Sequence, residues 1–346
     1  MPNVSESARA SFGELGEWLL GPVRMALLET ALDLAIPDLL AETGDPARIA
    51  ARLGAHPGNL GRLLDGLVAL GLASKRDGAY ANTALAERFL RRARPTYLGE
   101  MVLNLKQLQH RNLATIKELV LQGPPARDRV RGLDSEDLWR NSARHLACYQ
   151  KAGMARMAAD LVESLPEFPQ LRRMLDLGSG PGIIAMTIVE RHPDLQGVLC
   201  DTPPVLEVAA EELAARGLGG RIALLPGDYN RLDLGQGFDL VWASHCLYFA
   251  GDLAGLLTKA HQAMNPGGVF ISLHEGLGAE RTAPAQHILA RLCLALEGQD
   301  VSMAEGQITA ALRQAGFQRV ESEEIRLPLG PMRLDIARKA GAEPSC

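Results

Sequence analysis

The chain has 346 residues, 47% of them hydrophobic, and a formal net charge of −5. That length exceeds one ordinary core, so two separately packed units are expected, and the acidic balance gives no general attraction to phosphate backbones or anionic lipid. Met1 to Gly13 lacks the basic patch and apolar core of a signal peptide, and charges interrupt every apolar run; the expectation is a cytoplasmic protein with neither membrane nor nucleic acid as partner.

From Leu15 to about Arg94, apolar residues recur at helical spacing, as at Leu60, Leu63, Leu64, Leu67 and Leu70, with glycines between the runs, which predicts a string of short helices. Pro46 to Leu72 reads as two helices turning at 54–59, and the polar ribbon Ala73–Thr83 completes the pattern of a winged helix-turn-helix. A DNA-reading role is disfavoured. The second helix carries one basic residue, Arg62, and residues 1–95 hold 11 acidic and 11 basic side chains, which leaves no electrostatic footprint. An uncharged apolar module of this kind pairs more readily with its own copy in a homodimer. Residues 106–170 read as longer helices, broken at Gly123-Pro124-Pro125, that link the units and roof a site. Met101, Met154 and Met157 could shape an acceptor pocket there or be simple core. From Met174 onward, short apolar strands alternate with helices, the pattern of a parallel sheet covered on both faces. Strands are predicted at 173–177, 197–201, 221–225, 238–243, 268–273, 317–326 and 331–337. The five cysteines, odd in number and without C-x-x-C spacing, read as reduced thiols, and no metal site is expected.

The chemistry concentrates after the first of these strands. Met174 to Gly182 runs from an apolar strand into a turn containing Gly178, Gly180 and Gly182, where the backbone can approach a ligand without Cβ interference. The turn is neither the dinucleotide G-x-G-x-x-G, since Ile183 stands at its third glycine, nor a P-loop, since it lacks the G-K-[ST] ending. A nucleotide without a pyrophosphate fits better. Asp201 closes the second strand, 19 residues after Gly182, where a carboxylate can accept both ribose hydroxyls. After the third strand, Asp228 can accept from an exocyclic amine, and Tyr229 supplies an aromatic edge beside adenine. Singly, these residues could be turn formers or helix caps. In order, at the ends of successive strands, they mark a binding crevice.

The runs LDLGSGPG, CDTPP, PGDY and FDLVWAS, with a late NPGG turn, resemble the class I S-adenosylmethionine methyltransferases. With the winged-helix module in front, the chain resembles the plant-type small-molecule O-methyltransferases across nearly its whole length. The resemblance implies a Rossmann-like, seven-stranded α/β methyltransferase domain at 171–346, preceded by a winged-helix dimerisation domain at 1–105. It further implies S-adenosylmethionine as cofactor, held by Gly178, Gly180, Asp201, Asp228, Tyr229 and Ser244. The implied acceptor is a small molecule, aromatic, polyketide-like or tetrapyrrole, methylated on oxygen or carbon. One departure stands out: Leu247-Tyr248-Phe249 occupies the family's L-H-D, so tyrosine replaces the histidine base. The family's acidic residue that orients this base falls near His274 or Glu275. Tyrosine here resembles the bacteriochlorophyll C-20 methyltransferase branch, which methylates a ring carbon and implies His287 as a second catalytic group. Tyr248 and His287 are therefore the expected catalytic pair, with His245 in reserve. Two other readings stay open: a family member that binds the cofactor without methylating, and a cofactor-sensing regulator.

Overall fold

The computed structural model describes residues 6–126 and 136–341. The chain divides into two compact units, Met1–Leu103 and Asn104–Cys346.

The first unit opens with α1 (Glu6–Asp33), a helix of 28 residues rather than the first of several short ones. Neither its glycines nor Pro22 stops it; a Cβ built at Gly13, Gly16 or Gly21 would meet nothing within 4 Å, so no packing contact imposes a break there. Then come α2 (Ile36–Glu42), α3 (Pro46–Leu53) and α4 (Pro57–Ala69). Asp45 caps α3 by accepting from the Ala47 N–H, with proline at the first turn, where its missing N–H costs nothing. An antiparallel ribbon, β1 (Ala73–Arg76) and β2 (Ala79–Asn82), forms the wing, and α5 (Ala84–Phe89) follows. Ile36, Ile49, Leu60, Leu64, Leu67 and Tyr80 make the core of this unit. The sequence-expected helix-turn-helix with wing is thus present.

The boundary between the units falls within α6 (Gly99–Gln109), and α7 (Ile116–Gln122), α8 (Glu136–Tyr149) and α9 (Ala155–Glu163) follow in the second. A π-helical turn at Gln150–Met154, kinked at Gly153, joins α8 to α9. There follow β3 (Arg173–Leu177), α10 (Ile183–Arg191), β4 (Gln196–Asp201), α11 (Pro203–Arg216), β5 (Ile222–Pro226) and β6 (Phe238–Ser244). The chain ends with α12 (Leu253–Ala263), β7 (Met264–His274), α13 (Ala285–Leu296), α14 (Gln307–Gln314), β8 (Arg319–Leu327) and β9 (Gly330–Arg338). Seven strands form one sheet in the order β5-β4-β3-β6-β7-β9-β8. The first five run parallel, and β9 joins both β7 and β8 antiparallel.

The central strands are apolar on both faces because helices cover both, and Leu175, Leu177, Leu240, Val241 and Phe270 are fully buried. At one edge, β8 carries Glu321, Glu323 and Glu324, whose charge guards an unpaired edge against a second strand. The NPGG segment is no separate turn. The register between β6 and β7 shifts around it, so residues 265–268 form an irregularity within β7. Among the described residues, no helix is long and apolar enough to cross a membrane.

Candidate active site

The strand order reverses beside β3, and an open α/β sheet presents its binding crevice at such a switch, outside the carboxyl ends of the strands. A cavity of about 460 Å³ lies there. Gly178 and Gly180 after β3, Asp201 at the end of β4, Asp228 and Tyr229 after β5 and Ser244 at the end of β6 all line it. The structure therefore brings all six sequence-predicted cofactor residues to one space.

The glycine turn is fixed from two sides. The Gly178 and Ser179 N–H groups donate to the Cys200 carbonyl at 2.8 and 3.1 Å, and the Gly180 N–H donates to Asp201 Oδ2 at 2.8 Å. Gly178 has φ 67°, and a Cβ on it would strike the Cys246 Cβ at 2.4 Å; at Gly182, with φ 71°, one would strike Leu199 Cδ1 at 2.4 Å. Both positions thus combine left-handed backbone with a close approach that any side chain would block.

Asp201 Oδ1 accepts the Thr202 N–H at 2.7 Å. Each of its oxygens takes one backbone donor and keeps lone-pair capacity for a diol. Burial pushes this carboxyl up from its ordinary value, and the two backbone bonds oppose that. Behind the turn, Asp176 is 2% exposed and its Oδ2 has no partner among the described residues; burial, reinforced by the Asp201 charge, raises it to about 8. Tyr229 spends its hydroxyl within the fold, donating to the Cys246 carbonyl at 2.8 Å, so its ring is what remains for a ligand. Asn230, which sequence reasoning missed, ties this region together. Its amide donates to Asp228 Oδ1 and to the Phe249 carbonyl, and its oxygen accepts from the Gly251 N–H.

Another wall comes from the helical segment before the sheet: Trp139, Leu146 and Tyr149 of α8, with Met154 at the end of the π-helical turn. Of the three methionines considered from sequence, Met154 lines this cavity, Met157 does not, and Met101 is buried in the first unit. Two buried polar atoms of the wall, the Tyr149 hydroxyl and Gln150 Oε1, have no partner within the described residues.

The expected catalytic pair is not assembled here. Tyr248 sits in a 3₁₀ turn, Leu247–Phe249, outside the cavity lining. Its ring packs at 4.6 Å from Phe249 and 4.9 Å from the Arg291 guanidinium. Burial, with the Glu275 charge, pushes its phenol far above the ordinary value. His287, on α13, is 5% exposed, and its Nε2–H donates to the Pro331 carbonyl at 2.5 Å, tying α13 to β9. It too lies outside the cavity. The histidine that does line the cavity is His245, whose Nδ1 lies 3.0 Å from Glu275 Oε2.

A parallel sheet with a glycine-rich first turn, a strand-end aspartate for a diol and no Lys or Arg in the described lining defines a Rossmann-like domain for a nucleoside that presents no phosphate. Two family models match the chain: an O-methyltransferase dimerisation domain at residues 17–92, and an O-methyltransferase domain at residues 141–318, more than half of its length. The mitomycin biosynthesis 6-O-methyltransferase of Streptomyces lavendulae is 26% identical over 98% of each chain. The 3-hydroxy-5-methyl-1-naphthoate 3-O-methyltransferase of Streptomyces sahachiroi is 26% identical over 88% of this chain and 87% of its own. A solved structure of PigF with SAH is 25% identical, covers 97% of this chain and 100% of that one, and superposes with a TM-score of 0.73. The chain belongs to the O-methyltransferase family, and it is an S-adenosylmethionine-dependent methyltransferase. The residues present fit that cofactor. Asp201 has free acceptor capacity for the ribose, the glycine turn leaves room beside it, and the buried Asp176 oxygen behind the turn has no partner among the described residues.

Proposed function

We propose that this enzyme methylates a hydroxyl on a fused aromatic ring of a small secondary metabolite, working as a homodimer. The observation that carries the reading is the composition of one cavity. Strand ends supply the polar residues chosen from sequence, whereas Trp139, Leu146, Met154 and Phe249 make an apolar, partly aromatic wall suited to a flat acceptor. The names of the two Streptomyces relatives, one of which acts on a hydroxynaphthoate, point the same way. In this reading Asp201 accepts the ribose hydroxyls, Asp228 and Tyr229 border the adenine, and Gly178, Gly180 and Ser244 border the methionine end. When bound, the cofactor supplies an activated methyl on a sulfonium centre. The chain's own contribution is alignment: the fixed turn and the α8 wall hold donor and acceptor in line and exclude water, which can be worth several kcal/mol without a strong base. Residues 1–105 then serve pairing, 106–170 the acceptor side and 171–346 the cofactor.

The test is calorimetric titration with S-adenosylmethionine and S-adenosylhomocysteine, followed by mass spectrometry of hydroxynaphthoates incubated with the protein and cofactor. Micromolar binding of both, with gain of one methyl by a hydroxynaphthoate, is expected. Binding without methylation of any hydroxyl would refute the acceptor class.

A further inference from the structure

We propose that His245 is the general base of the transfer, oriented by Glu275 and Arg291, with its unpartnered Nε2 as the atom that takes the acceptor's hydroxyl proton. The inference rests on the hydroxyl acceptor proposed above.

His245 directly follows β6 and lines the cavity beside Ser244. Its backbone is left-handed, φ 53°, a conformation that is strained for a β-carbon-bearing residue and persists only where the surroundings impose it. They do so here. The His245 N–H donates to the Leu273 carbonyl at 3.2 Å, and the next two N–H groups, of Cys246 and Leu247, both donate to His274 Nε2 at 3.0 Å. Because His274 Nε2 accepts, its Nδ1 carries the proton and donates to Ser272 Oγ at 3.0 Å. Burial, and after it the neighbouring His245, pulls His274 down to about 3, so this ring is a neutral brace and not a base.

The other side of His245 is set by charge. Burial alone would raise the Glu275 carboxyl, but its bond to His245 and the Arg291 guanidinium hold it well below the usual carboxylate range. An ionised carboxylate only accepts, so the proton between them sits on His245 Nδ1 and the lone pair on Nε2. Nε2 is enclosed and has no partner within the described residues. Arg291, ion-paired to Glu275, also lies over the Tyr248 ring. The tyrosine at the family's histidine position thus becomes a platform for Arg291. Among the described residues, Glu275 after β7 and His274 on β7 face this imidazole, and Arg291 on α13 reaches it through Glu275.

In the step, the acceptor's O–H proton passes to Nε2 and its electron pair stays on oxygen to form the new O–C bond. The old S–C pair leaves with sulfur, and the imidazolium then releases its proton to water. A base so placed contributes about 10²–10⁴-fold.

The experiment compares wild type with H245N, which tolerates left-handed backbone, and with E275Q, each saturated with S-adenosylhomocysteine for the spectra and supplied with S-adenosylmethionine for turnover. In ¹⁵N-histidine NMR, wild-type His245 is expected as the Nδ1–H tautomer, and E275Q should mix the tautomers. H245N should bind S-adenosylhomocysteine as wild type does, yet methylate 3-hydroxy-1-naphthoate about 10²–10⁴-fold more slowly. An Nε2–H tautomer in wild type, or H245N turnover within threefold of wild type, overturns the inference alone. A wild-type protein that binds S-adenosylhomocysteine but leaves the naphthoate unmethylated overturns the acceptor reading and this inference with it.

Discussion

Among the residues around the glycine turn, Asp176 has the most measurable consequence. Its neighbours offer it little: among the described residues one oxygen has no partner, and the charge that bears on it is another carboxylate, Asp201. With a folded value of about 8 against an ordinary 3.8, the folded chain keeps a proton that the unfolded chain releases between about pH 4 and pH 8. Stability from this group is full below the unfolded value and is lost as pH rises through the folded one. Asp176→Asn removes that titration. The difference in Tm between variant and wild type should therefore climb in the variant's favour from pH 4 to pH 8 and level off outside that window, as read by thermal melts across pH. A flat difference would mean that Asp176 is already ionised in the fold. The same residue scale shows where sequence reading stops. Gly178 and Asp201 were legible because a glycine-rich turn after an apolar strand, and a carboxylate at the end of the next, are local patterns. The His245 arrangement was not. Its direction depends on a left-handed backbone at a strand end, and its partners Glu275 and Arg291 lie far along the chain on other elements. His287 shows the reverse case, a plausible local position whose imidazole is spent on Pro331.

At the scale of elements, α8 is set against α11 by two kinds of contact. Ala143 packs with Val205 and Val208, and along the seam Arg140 pairs with Glu207 and Arg144 with Glu211, both at 2.8 Å. The Arg144–Glu211 pair is about half exposed, so Arg144→Ala should cost less than about 1 kcal/mol. Ala143 is 3% exposed and lines the cavity as well, so Ala143→Leu should cost about 1–3 kcal/mol through overpacking and weaken S-adenosylhomocysteine binding. Urea unfolding midpoints and calorimetry separate the two; equal effects would mean that ion pairs, not the small-residue contact, position α8. The central strands of the sheet were legible because helices on both faces demand continuous apolar runs. The length of α1 was not, since glycine and proline are read as breaks even where no packing requires one.

For the whole molecule, the decisive surface is α1. Trp18 is 72% and Leu19 79% exposed, with Leu15 and Val23 exposed on the same stripe at helical spacing. Trp18, Leu19 and Val23 lie inside the match to the dimerisation domain, and in a two-fold pair each such side chain is buried twice. Burying one leucine contributes about 1.5–3 kcal/mol. Leu19→Asp should therefore weaken pairing by at least about a hundredfold, since two copies lose the contact. Sedimentation should find wild type at twice the 37.2 kDa chain mass and the variant at that mass at micromolar concentration. Binding of S-adenosylhomocysteine should survive, because the residues lining the cavity all belong to the second unit. A variant that remains paired would move the interface off α1, and one that loses the ligand along with its partner would show that the site is completed by pairing.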